Sequence, residues 1–245
     1  MKENIINARV TFRKSPIHVL ERFSFSDVDE AYTSFKKYAD LKECVILQTC
    51  NRIEIFATGS EKDFAQIKKT WASVAGLEEN AFKDNCDVSV NTDVYDHLLK
   101  LTSGLDSMVI GEEQILGQIK NSITFARNAK TSGEHLNTLF DKAIRVGTRI
   151  RNSTGISKGS ISIGSMAVKL AEENVDDMKL KQILLIGTGE AAALVAKSLR
   201  KRGYTFSISS RTLERSTSFS KTVGGNPVDF NDILEGFGKY DIVFV

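Results

Sequence analysis

The chain has 245 residues, 41% of them hydrophobic, with a formal net charge of only +2, which allows one large or two ordinary domains and excludes capture of a polyanion by the field of the whole molecule. Three cysteines, Cys44, Cys50 and Cys86, with no CxxC spacing, argue against a disulfide framework and a structural zinc site, so no metal and a reducing, cytoplasmic setting are expected. Met1 to Val10 has no signal-peptide core and no run approaches the roughly 20 apolar residues of a membrane helix, so no membrane partner is expected.

In chain order, Ile5 to Phe12 reads as a strand and Val28 to Tyr38 as a helix. Cys44 to Leu47 is an apolar run typical of a buried strand, Thr49 to Asn51 the turn after it, and Arg52 to Phe56 a second strand with polar and apolar residues alternating, which sets Arg52 and Glu54 on one face. Cys50 sits in that turn beside a cation and a carboxylate. An ordinary thiol, of pKa about 8.5, is only about 3% thiolate at neutral pH, and a neighbouring guanidinium raises that fraction. Cys50 is therefore a candidate nucleophile; the alternative is a small buried hydrophobe. Phe64 to Ala75 is a second helical pattern, Val88 to Val90 a short strand, and a helix from Asp93 to Leu101 takes Asp93 or Thr92 as its cap. This first part is mixed α/β.

From Gly111 the character changes. Helical patterns at Gln114 to Lys130 and Glu134 to Arg151 are separated by Thr131-Ser132-Gly133. The segment Asn152 to Ser162, rich in Ser, Gly and Thr, reads as a linker, placing one domain at residues 1–155 and a second at 156–245, whose first helix is Ile163 to Asn174.

Gln182 to Ile186 is a continuous apolar run, as expected of a central parallel strand, followed at once by Gly187-Thr188-Gly189-Glu190-Ala191-Ala192, a helix to Arg200 and a second strand at Phe206 to Ser209. A G-x-G-x-x-A turn between a strand and a helix is the Rossmann dinucleotide fingerprint. Where an NAD site carries an acidic residue for the ribose hydroxyls, this chain has Ser210-Arg211-Thr212, which suits the 2′-phosphate of NADPH; Arg211 could instead be a solvated loop arginine. Tyr240 to Val245 has the pattern of a further parallel strand with nothing after it to complete a doubly wound sheet, so a truncated Rossmann-like domain is expected, with a naturally short chain as the alternative.

A second polar cluster runs from His97 to Lys120 and contains Gly104-Leu105-Asp106-Ser107-Met108-Val109 and Gly111-Glu112-Glu113-Gln114-Ile115-Leu116-Gly117-Gln118. With the Thr49-Cys50-Asn51-Arg52-Ile53-Glu54 box, the Thr154-Gly155-Ile156 linker and the glycine turn, it closely resembles the glutamyl-tRNA reductase family over most of the chain. The resemblance implies an NADPH-dependent oxidoreductase acting on an acyl group, the first enzyme of five-carbon tetrapyrrole (porphyrin) synthesis. In it, Cys50 takes the glutamyl group of glutamyl-tRNA(Glu) as a thioester, which is reduced to glutamate-1-semialdehyde.

It also implies that Arg52 pairs with the substrate's side-chain carboxylate, that Thr49, Asn51 and Ser107 hydrogen-bond the aminoacyl group, that Glu54 holds its ammonium, and that His97 protonates the departing ribose oxygen. Structural roles are the alternatives for Glu54 and His97. Glu112, Gln114 and Gln118 are carried over as substrate-binding residues, Gln114 and Gln118 lying at i, i+4 where packing is an equal alternative. Gly187 to Ala192 and Ser210 to Thr212 are carried over as the cofactor site. Lys142, Arg145 and Arg149 form a helix stripe for the tRNA acceptor arm, or a solvated face.

Family members continue into the rest of the cofactor domain and a helical dimerisation domain, so a homodimer is implied for the family while its region is absent here. Glutamate-1-semialdehyde aminomutase is the implied pathway partner. Two rival readings are an NADP-dependent small-metabolite dehydrogenase of the shikimate dehydrogenase type, which would not need Cys50, and a truncated non-catalytic form that binds tRNA or a regulator.

Overall fold

The computed structural model describes residues 4–39, 41–60, 63–157 and 162–245, and the chain divides into two compact units, Met1–Ser160 and Ile161–Val245. In the first, strands β1 (Asn4–Thr11), β2 (Glu43–Gln48), β3 (Arg52–Gly59) and β4 (Cys86–Val90) form an antiparallel sheet in the order β2-β3-β1-β4. Helices α1 (Ile17–Leu20), α2 (Val28–Tyr38), α3 (Asp63–Ala75), α4 (Phe82–Asn85), α5 (Thr92–Ser103), α6 (Gln114–Asn128) and α7 (Glu134–Thr154) surround it. Trp71 anchors an aromatic cluster with Phe23, Phe25 and Phe82, and its Nε1 donates to Phe23 O at 2.8 Å, so the largest buried side chain leaves no polar atom unpaired. The edge of β2 is covered: the Ile46 N–H donates to the Tyr32 hydroxyl at 2.8 Å and the Cys44 N–H to Thr131 O at 2.7 Å.

Alternation along β3 would ordinarily mark a strand with one solvated face. Here both faces are buried, because α5 and α7 close over the polar one: His97 of α5 stacks on Phe56 at 6.5 Å and Phe140 of α7 meets the same ring edge-on at 5.1 Å. Arg52 and Glu54 are therefore enclosed with Phe56. The expected cap of α5 is corrected. The residue before the helix is Asn91, at φ 51°, and its side chain bonds the Ile5 N–H and Asn4 instead of the helix. The α7 helix runs on to Thr154 and closes at Gly155, so the predicted linker begins later than expected; residues 158–161 of it lie outside the described residues.

The second unit has a parallel sheet of β5 (Ile183–Ile186), β6 (Ser207–Ser209), β7 (Asn226–Pro227) and β8 (Ile242–Phe244), in the order β7-β6-β5-β8. Its helices are α8 (Ile163–Asn174), α9 (Glu190–Lys201), α10 (Leu213–Val223) and α11 (Phe230–Gly236). Ser162 starts α8 by accepting from Ser165 N at 3.1 Å, and Val168, Leu185, Leu199 and Ile208 make the core. Numbered within this unit the order is third-second-first-fourth, that of a Rossmann-like half, with the direction of strand addition reversing beside β5. Among the described residues no helix is long and apolar enough to cross a membrane.

Candidate active site

The hairpin between β2 and β3 is closed by its own polar groups. The Thr49 N–H donates to Arg52 O at 2.8 Å, and Thr49 Oγ1 accepts from the N–H groups of Asn51 and Arg52 at 3.1 and 3.2 Å. Asn51 O is tied to the Phe12 N–H at 2.9 Å. The turn is thus rigid and Cys50 stands exposed at its apex, whereas Cys44 is buried and Cys86 half-buried. Burial pushes the Cys44 thiol up to about 12 and the Cys86 thiol up to about 11. Of the three thiols, Cys50 has the access a nucleophile needs.

Two residues further on the chain is fully enclosed. Arg52, 2% exposed, donates from Nη1 to Glu54 Oε1 at 2.8 Å and to Asp106 Oδ2 at 3.2 Å, and from Nη2 to the Asp106 carbonyl. Glu54, with no exposed surface, accepts from Asn7 Nδ2 at 3.1 Å and meets His97 Nε2 at 2.7 Å. Burial alone would raise the Glu54 carboxyl, but His97 and Arg52 together outweigh it and hold the group well below the usual carboxylate range. An ionised carboxylate only accepts, so the proton on this side of the imidazole is at Nε2, and Nδ1 faces Asp106 Oδ2 at 3.6 Å. Arg13 holds the other Asp106 oxygen at 2.7 Å. A cleft of about 400 Å³ opens on the network, lined in part by Arg9, Arg13, His97, Lys100 and Asp106.

Arg52, Glu54 and His97 are thus brought together, with Thr49 and Asn51 holding the turn beside them. Glu54 has both oxygens engaged by protein groups and is sealed from solvent, so the ammonium-holding role expected of it is replaced by orientation of Arg52 and His97. Ser107 lies in the loop after Asp106, with its buried Oγ lacking a protein partner. Glu112, Gln114 and Gln118 are half-buried at the start of α6, and Lys142, Arg145 and Arg149 are exposed along α7. Asp106, Asn7 and Arg13 were missed by sequence reasoning. Asp106 lay inside the second polar cluster, but only the fold carries it across 54 positions to Arg52.

The family model described as "Glutamyl-tRNAGlu reductase, N-terminal domain" matches residues 8–154. The chain belongs to the glutamyl-tRNA reductase family. It is 59% identical over its whole length to the glutamyl-tRNA reductase of Cenarchaeum symbiosum (strain A), covering 59% of that protein. Its identity to the Methanosarcina barkeri (strain Fusaro / DSM 804) enzyme is 38%, over 96% of this chain and 51% of the relative. The solved structure of glutamyl-tRNA reductase from Methanopyrus kandleri superposes with a TM-score of 0.62 at 31% identity, over 98% of this chain and 57% of that one. The chain therefore spans between half and three-fifths of the length of these family members. A second family model, "Shikimate / quinate 5-dehydrogenase", matches residues 169–245, which confines that likeness to the Rossmann-like unit.

That unit carries the glycine turn at the carboxyl end of β5. Gly187 has φ +117°, a conformation open to glycine, and its N–H donates to Ser209 O at 2.8 Å, binding the turn to the end of β6. A Cβ built on Gly189 would meet nothing within 4 Å, and the first turn of α9 has no side-chain cap. The amino end of α9, with open space beside Gly189, suits a pyrophosphate. Thr188 lies within the turn, Ser210 Oγ donates to Thr212 O at 2.8 Å to shape the next one, and Arg211 is exposed there. These residues fit a dinucleotide.

Proposed function

We propose that this chain forms the acyl-accepting and cofactor-binding portion of an NADPH-dependent glutamyl-tRNA reductase, the enzyme that makes glutamate-1-semialdehyde for tetrapyrrole synthesis. The observation that carries the reading is the exposed Cys50 on a hydrogen-bonded turn whose exit strand leads at once into the buried Arg52, Glu54, His97 and Asp106 network. In the first step the Cys50 thiolate attacks the ester carbonyl of glutamyl-tRNA(Glu). The C–S bond forms, the C–O bond to the terminal ribose breaks, and the ribose oxygen takes a proton. His97, held through Nε2 by Glu54, carries on Nδ1 the proton released when the Cys50 thiol ionises and gives it to that oxygen. Arg52 receives the side-chain carboxylate of the glutamyl group in exchange for Asp106 Oδ2, the longest of its contacts at 3.2 Å. Ser107 Oγ, without a protein partner, hydrogen-bonds the aminoacyl group, and Glu112, Gln114 and Gln118 border it.

NADPH, when bound, supplies the hydride that brings the acyl group to the aldehyde and frees the thiol. Gly187 to Ala192 cradle its pyrophosphate, and Ser210, Arg211 and Thr212 receive the 2′-phosphate, where a carboxylate would repel it. The exposed Lys142, Arg145 and Arg149 stripe contacts the acceptor arm of the tRNA. The test is intact mass spectrometry of the protein with glutamyl-tRNA, with and without NADPH. A hydroxylamine-sensitive glutamyl adduct that Cys50→Ser lacks, converted to semialdehyde on adding NADPH, is the expected result; no adduct on the wild-type chain would refute the reading.

A further inference from the structure

The loop between α5 and α6 presents Asp106 and Ser107 to the site, and something must hold its other side. Arg151, in the last turn of α7, is 6% exposed and fans over four neutral acceptors. Its Nε donates to Thr102 O at 2.7 Å, and Nη1 to Gly111 O at 3.1 Å, Glu112 O at 2.8 Å and Ser157 Oγ at 3.0 Å. Thr102 O is one of the carbonyls that the end of α5 leaves without a helical partner, and Gly111 O and Glu112 O belong to the far end of the loop. One guanidinium therefore staples both ends of the loop and reaches the segment that follows α7. The packing leaves no slack. At Gly104, φ +80°, a Cβ would lie 2.6 Å from Arg151 Nη2, and at Gly111, φ +81°, one would lie 2.2 Å from Ile156 O. The Gly111 N–H also donates to Gly104 O at 2.8 Å, closing the loop on itself. On its opposite side the loop is held by Arg52 and Arg13 through Asp106.

We infer that Arg151 is a positioning residue: it locks the loop bearing Asp106 and Ser107 in register with Arg52 and ties that register to residues 155–157, so that acylation of Cys50 responds to their conformation. Arginine is required because its planar fork spans acceptors on three stretches of chain, while a lysine offers donors from a single point. The assay rests on the proposed function; the loop geometry does not.

The experiment uses the full chain with Arg151→Ala, Arg151→Lys and Ser157→Ala. Two quantities are measured: the rate of glutamyl adduct formation from glutamyl-tRNA without NADPH, as a function of substrate concentration, and amide hydrogen exchange across residues 105–112. Arg151→Ala is expected to lower the maximal acylation rate about tenfold, with the half-saturating concentration little changed and faster exchange confined to the loop. A cavity of about 660 Å³, lined in part by Leu116, Lys120, Thr148 and Arg151 itself, gives free guanidinium a route to the vacated place, so added guanidinium should restore the rate in Arg151→Ala and do nothing for wild type. Arg151→Lys should remain slow, and Ser157→Ala should lose about threefold. Wild-type rates in Arg151→Ala would overturn the inference, as would a slow variant that guanidinium does not rescue and whose exchange rises throughout the unit. If wild type forms no adduct, the proposed function fails, and the exchange and its guanidinium response still decide the role of Arg151.

Discussion

In the first unit Glu54 meets His97 across 43 positions and Arg52 meets Asp106 across 54, whereas in the second the glycine turn is contiguous from Gly187 to Ala192 and needs only the end of β6 beside it. The first site buries its charges and satisfies them with each other; the second offers a helix N-terminus with open space beside Gly189. The contrast follows from what each would hold. A reacting acyl group calls for oriented charges sheltered from water, while a pyrophosphate is met by a helix terminus that any chain with glycine in the right place can supply. The two sites should therefore fail differently.

The largest break is expected at Cys50. Cys50→Ser should lower reductase turnover by at least about a thousandfold and abolish the adduct, since a hydroxyl is far less nucleophilic than a thiolate, while NADPH affinity measured by equilibrium dialysis stays unchanged.

Next is the buried network. Glu54→Ala strands Arg52 and His97 without their common acceptor and should destabilise the first unit by about 3–5 kcal/mol, seen as a melting transition lowered by roughly 10 °C. The pH dependence has a definite sign. The folded Glu54 carboxyl lies below its ordinary value of 4.5, so its contribution is complete above that value and is lost as pH falls through the folded pKa. Wild-type melting temperature should drop steeply below about pH 4.5, and Glu54→Gln, already lower at neutral pH, should drop less; parallel curves would show that Glu54 carries no such linkage.

A smaller effect belongs to the second unit. Arg211→Ala should weaken NADPH binding about tenfold and leave NADH binding unchanged, because only the 2′-phosphate is lost as a partner. Equal weakening of both cofactors would remove Arg211 from the phosphate site, and any change in Cys50 acylation would contradict the independence of the two sites. The mildest test is thiol labelling. At pH 8 iodoacetamide should modify Cys50 first, with Cys44 and Cys86 protected by burial and by thiols raised to about 12 and 11.

The elements were largely legible along the chain because their signals are local. Val28 to Tyr38 and Ile163 to Asn174 coincide with α2 and α8, and the apolar run before Gly187 is β5. The cap of α5 was misread because Asn91 is claimed by β1, a partner 86 positions away. The α10 helix and the two-residue β7 were not read at all. Within the site, Cys50 and Arg52 were visible as a motif, and period two correctly placed Arg52 and Glu54 on one face. Their burial was not visible, because alternation reports only that two faces differ, and whether a helix covers the polar one is decided elsewhere.

By itself the sequence determined the mixed α/β character, the glycine turn after β5, the cysteine and the family resemblance, since each rests on residues adjacent or periodically spaced. The tertiary structure alone decided that Glu54 is a buried acceptor for Arg52 and His97, that Asp106 meets Arg52, and that Arg151 braces the loop from behind. Those facts depend on which distant groups exclude water from one another, and a pairing made across 40 or more positions leaves no period in the chain for a reader to find.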